Sequence, residues 1–181
     1  NASIGGDTVV ADNDELGRIR FFGNDGTDFA EGARITALVN GTPGSGDMPS
    51  ELVFSTSADG AESPTARVTI NSSGNVGIGT TDPSQLIEIS SSSDPKIRIN
   101  NSSTSLSANT SIGGLEFNTN DASSGGTGIG ASIEAKADGN FGSDQQGLYL
   151  AFSTRDSGSS ETNTERMRID SSGKVGIGES S

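Results

Sequence analysis

The chain has 181 residues, a net charge of −13, 29% hydrophobic residues and 4% aromatics. That composition lies near the range of weakly cored chains, and its acidity argues against nucleic acid or an anionic membrane as an unaided partner. Cysteine, histidine and tryptophan are absent, which excludes a disulfide framework, a thiolate or imidazole metal site and a Ser-His-Asp triad.

In chain order, the first signals are strands. Ile19 and Phe21 alternate with Arg18 and Arg20, the period-two pattern of a half-buried strand. Ala33, Ile35, Ala37 and Val39 point one way along a second strand, and Leu52 and Phe54 mark a third. Val68 and Ile70 mark a fourth, followed by Asn71-Ser72-Ser73-Gly74. Asn at the first position and Gly at the fourth suit a type I turn closed by a left-handed glycine. Arg67–Ile70 should therefore pair antiparallel with Asn75–Gly79. Two short strands are expected at Leu86–Ile89 and Lys96–Ile99, and a loop at Asn100–Ser111.

The pattern then repeats. RVTINSSGNVGIG at Arg67–Gly79 returns as RMRIDSSGKVGIG at Arg166–Gly178. LVFSTS at Leu52 returns as LAFSTR at Leu150, EGARITALVNG at Glu31 as IGASIEAKADG at Ile129, and LGRIRFFGND at Leu16 as IGGLEFNTND at Ile112. The offset drifts only between 96 and 99, so insertions are small and belong in loops. No stretch shows a sustained helical period. The fold class is all-β: two tandem copies of one module, the first over 1–83 and truncated at its start, the second over 84–181. The chain reads as a piece of a longer modular protein.

Glycine weakens a strand, so the alternation in Val76-Gly77-Ile78-Gly79 needs a reason. Bare positions at Gly77, Gly79, Gly176 and Gly178 leave one strand face open to another backbone. Gly74 and Gly173 belong to the turns. A lone module would bury little apolar surface. The expectation is that several copies share one core, with these glycines where neighbouring chains crowd. Valine at Gly77 or Gly176 should then weaken assembly.

Tempting motifs fall away. Ser171-Ser172-Gly173-Lys174 has Val175 where a phosphate loop needs Ser or Thr. Gly77-Ile78-Gly79 lacks the third glycine of a dinucleotide fingerprint. Asn24-Asp25-Gly26-Thr27-Asp28 has possible calcium ligands, but its counterpart Asn120-Asp121-Ala122 loses the glycine, so a solvated turn is preferred. No catalytic, cofactor-binding or metal residue is marked, and no enzyme is indicated. Arg67, Arg166 and Arg168 are read on an exposed strand face, either solvated or paired with a neighbouring chain.

The strings ERMRIDSSGKVGIG (Glu165–Gly178) and NSSGNVGIGTTDPSQLIEI (Asn71–Ile89) resemble a module of bacteriophage tail fibres and related virion proteins. It is often found upstream of endosialidase-type chaperone domains. The resemblance implies an elongated, intertwined homotrimeric fibre, extracellular on a virion tail, whose partners are itself and other tail proteins. It implies a structural shaft that extends a receptor-binding tip towards the host. The alternative is a carbohydrate-binding fibre or adhesin module contacting host-surface glycans. Sugar sites favour exposed aromatics; Tyr149 is the one tyrosine, and most phenylalanines read as part of the apolar stripes.

Overall fold

The computed structural model describes residues 8–120, 128–142, 146–156 and 163–178. They form two units, Asn1–Lys96 and Ile97–Ser181, each built on one sheet. The first sheet runs β1 (Glu15–Asn24), β2 (Phe29–Val39), β3 (Ser50–Thr56), β4 (Thr65–Ile70), β5 (Val76–Ile78) and β6 (Ile87–Ile89), in that spatial order. The first five strands form an antiparallel meander, and β6 lies parallel to β5. The second sheet is a five-stranded meander: β7 (Ser111–Thr119), β8 (Gly128–Ala137), β9 (Leu148–Arg155), β10 (Asn163–Ile169) and β11 (Val175–Ile177).

The repeat extends to register. Ile19 faces Ile35, Ile35 faces Phe54, Phe54 faces Val68 and Val68 faces Ile78. The second unit pairs Leu115, Ile133, Phe152, Met167 and Ile177 in the same way. Even the irregularities recur. Bulges fall between Phe21 and Phe22 and between Phe117 and Asn118, and Arg67 and Arg166 are the residues skipped in the two β3–β4 and β9–β10 ladders. A bulge adds one residue and bends the strand, so repeated bulges give both sheets the same local bends.

A further shared device precedes each first strand. Asn13 and Asn109 both adopt left-handed backbone, with φ of 68° and 65°. Their N–H groups donate to the carbonyls of Val39 and Ala137, whose own N–H groups donate to Asp14 and Thr110. That closes the end of β2 and of β8, where Val39 and Ala137 are almost fully buried. Asparagine tolerates this conformation better than most residues.

Both hairpin turns form as their sequences dictate. Gly74 and Gly173 have φ of 80° and 82°. The Gly74 N–H donates to the Asn71 carbonyl and the Gly173 N–H to that of Asp170. The Asn71 Oδ1 accepts from the N–H groups of Ser73 (3.1 Å) and Asn75 (3.0 Å). The Asp170 Oδ1 accepts from Ser172 (2.9 Å) and Lys174 (2.8 Å). Asn71→Ala should cost about 0.5–1.5 kcal/mol in a denaturant melt, because it removes the acceptor of two backbone donors, one of them exposed. Asn71→Asp, the second unit's choice, keeps both of these bonds and should cost less, its penalty being a carboxylate oxygen set against the Pro83 carbonyl in place of the amide donor.

Two expectations are corrected. Lys96–Ile99 is not a strand; Pro95 stands just before it and it enters no ladder. The segment Leu86–Ile89, read with the second module, instead supplies β6 to the first sheet. The Leu86 carbonyl accepts from Val76, and Ser90 donates to Ile78.

Candidate functional site

The two faces of each sheet differ in chemistry. In the first unit two rows cross one face from β1 to β6: Ile19, Ile35, Phe54, Val68, Ile78, Ile89, and Gly17, Ala37, Leu52, Ile70, Val76, Ile87. In the second unit the latter row reads Gly113, Ala135, Leu150, Ile169, Val175. The opposite face carries Thr36, Val53 and Thr69 in one row, with Ser55 in the next, all buried.

The chain's own loops cover parts of that polar face. The apolar rows of the first unit lack such a cover, and those of the second are covered only in part. Ile19 is 60% exposed, Phe21 52%, Leu115 58% and Ile177 77%. Among described residues the buried hydrophobics are few: Val39, Val53, Leu106, Ala137, Tyr149 and Ala151. An apolar surface shared by two whole rows of each sheet is the kind that marks an interaction site.

The second unit has one partial cover over its apolar face. Ile97 and Ile99 border a cavity of about 240 Å³ with Gly113, Leu115, Ile133 and Leu150. A Cβ on Gly113 would land on the Ile99 side chain, so this glycine makes room for the segment entering the unit.

The predicted glycines divide by role. Gly74 and Gly173 have open space around them and serve the left-handed turns. Gly77 is buried on the polar face, opposite Thr69. A Cβ there would lie 2.6 Å from the Thr80 carbonyl oxygen and 3.3 Å from the Pro83 Cβ. The backbone that needs this bare position is therefore the chain's own β5–β6 crossover, a correction to the expected neighbouring chain. An ordinary parallel crossover takes about a dozen residues or more; this one uses Gly79–Leu86 and must hug the sheet. Gly79 has φ of 78° and a Cβ there would overlap the Ser90 carbonyl oxygen. Gly176 pairs with Arg168, and Gly178 has φ of 76° with its N–H donating to the Arg166 carbonyl.

The arginines also separate. Arg67 reaches the Thr56 hydroxyl and carbonyl, and Arg166 pairs with Asp156. Arg168 is not solvated: its side chain is 12% exposed, pairs with Glu165 and lies 4.2 Å above the Tyr149 ring. The Tyr149 hydroxyl donates to the Asn109 Oδ1 at 2.9 Å.

Phe22 lies on the polar face of the first sheet, as its alternation with Phe21 requires, and Phe29 joins it there because the extra residue Gly32 shifts the alternation along β2. Both are exposed. Among the described residues no three acidic side chains are close enough to share a metal ion, and no helix is long and apolar enough to cross a membrane.

The class this architecture defines is an all-β repeat of meander sheets. No family model matches the chain, and no curated protein matches it. Among solved structures, the chain is similar to the carboxy-terminal domain of the bacteriophage T5 L-shaped tail fibre with its intramolecular chaperone domain. The identity is 13% and the TM-score 0.47, over 97% of this chain and 57% of that one, so the chain spans little more than half its length. A second structure of that carboxy-terminal domain matches at 13% identity and a TM-score of 0.45, over 96% of this chain and 82% of that one.

Proposed function

We propose that the chain is a structural shaft segment of a homotrimeric bacteriophage tail fibre, holding a receptor-binding tip away from the virion. The observation that carries this reading is the pair of apolar rows on each sheet, open in the first unit and only partly covered, by Ile97 and Ile99, in the second. Covering such surface stabilises by about 25 cal/mol per Å², and a second and third copy of the same chain present the matching surface. Three sheets turned towards one axis close a core and leave three polar faces in water. The sequence resemblance of Asn71–Ile89 and Glu165–Gly178 to fibre modules supports the three-fold count. On this reading the segment acts mechanically, with no cofactor and no catalysis, and joins other tail proteins outside the cell. Light scattering tests it: the particle mass should be three times the 18.3 kDa of one chain. A folded monomer at micromolar concentration overturns the proposal.

A further inference from the structure

A cleft of about 520 Å³ opens on the polar face of the first unit, between the β1–β2 turn and the loop before β4. Arg20, Phe22, Asp28, Phe29, Glu31 and Glu62 line it, with Asp25 beside them. We propose that this cleft binds a protonated amine carried on an apolar stem.

The second unit shows that the strands do not require these residues. Phe22 pairs with Glu31 across the bulge, and at the same place Asn118 pairs with Ile129. Arg20 is matched by Glu116. Identical registers form with unrelated side chains, so the first unit's set is free to serve something other than folding.

The cleft's charge selects the ligand's sign. Asp25, Asp28, Glu31 and Glu62 line the cleft with one cation, Arg20. Arg34, paired with Arg20 across β1 and β2, also acts on Glu31; the carboxylates still outnumber the two guanidinium groups. Hydrogen bonds from the Asp28 and Thr27 N–H groups hold the Asp25 carboxyl below the usual range, and the Arg20 guanidinium does the same for Glu31. Both are ionised at neutral pH.

Glu31 supplies the specific demand. It is 9% exposed. Its Oε2 accepts from the Arg20 Nη2 at 2.5 Å, while its Oε1 is buried with no donor. A buried acceptor left unpaired is costly, and an ammonium brings both N–H donors and charge. The aromatics supply the rest. Phe22 and Phe29 are 49% and 73% exposed. The Arg20 guanidinium already lies 4.6 Å from the Phe22 ring centroid, so this ring accepts a cation on its face. The cleft opens on the face opposite the apolar rows, so assembly through those rows leaves it accessible. The inference stands whether or not the fibre reading holds.

The probe is 1,5-diaminopentane, titrated against the intact chain and followed by amide and ring shifts in NMR. Saturable shifts at Phe22, Phe29 and Glu31 are expected, with a Kd of about 1 mM or tighter. Phe22→Asn, the second unit's residue and neutral in charge, should weaken binding about tenfold. Glu62→Gln, at an exposed position, should weaken it less. The bis-N-acetylated diamine should not bind. Glucosamine and a lysine-containing tripeptide then distinguish a sugar amine from a protein side chain as the source. The proposal is overturned if the diamine gives no saturable shift, if the acetylated form binds equally, or if Phe22→Asn leaves affinity unchanged.

Discussion

Gly77→Val should destabilise the first unit by about 3 kcal/mol, at the upper end of the range for overpacking. The new side chain starts 2.6 Å from the Thr80 carbonyl oxygen, and backbone cannot swing aside as a flexible side chain can. Valine's better strand propensity, worth a fraction of ~1 kcal/mol, does not offset that. Gly79→Ala should be comparably harmful, because it combines left-handed backbone with a collision against Ser90. The control is Gly74→Ala, which has the same handedness and no neighbour within 4 Å. It should cost only the conformational term of about 1–2 kcal/mol. Denaturant melts of the three variants, with NMR shifts of Thr69 and Pro83 as local probes, check the order. If Gly77→Val and Gly74→Ala melt alike, the crossover does not press on Gly77.

If the chain assembles through its apolar rows as proposed, Ile19→Lys together with Phe21→Lys should dissociate the assembly while leaving each sheet folded. Both residues lie on the apolar face and are more than half exposed within one chain, so folding of the chain itself loses little. Completing the burial of each such side chain contributes about half of the 1.5–3 kcal/mol of full burial, and the proposed trimer loses each contribution three times. Arg18→Ser, one residue away on the opposite face, removes only the exposed pair with Glu15, which solvent screens. Light scattering should report a trimer for Arg18→Ser and a monomer for the double variant. Trimers from both would place the contact surface elsewhere.

Much of this was legible in the sequence because the module is written twice. The drift of the offset from 96 to 99 located the loops, and the shared strings located the meander strands and both hairpin turns. The partner of the bare glycine was not legible. A period-two pattern says that Gly77 leaves a face open, yet the occupant comes from a crossover whose path depends on where β6 docks. The boundary between modules misled for the same reason: the first module reads as ending at residue 83, but Pro83 is buried and its carbonyl accepts from both Asn71 and Asn75. The cleft was hidden by a bulge. Alternation assigns Phe21 and Phe22 to opposite faces, but not Phe29 and Glu31 to the face of Phe22, because Gly32 lies between Glu31 and Ala33 opposite the bulge. Comparing Phe22 with Asn118 was the available signal, since it separates what the scaffold needs from what one copy adds.

The short parallel pair of β5 and β6 has a consequence under load. β6 is the terminal strand of its sheet and the last strand before the second unit begins, and it is held by three paired residues, Ile87, Glu88 and Ile89. Tension that enters from the second unit reaches this strand before it reaches the meander. Peeling it away would free Gly79–Ser90, roughly 40 Å of contour at about 3.3–3.6 Å per residue, with the antiparallel ladders of β1–β5 intact. The strand would then act as a fuse, yielding length under a sharp pull and re-docking when the pull ends. Force spectroscopy should register this as a short, reversible extension well below the force that ruptures either sheet.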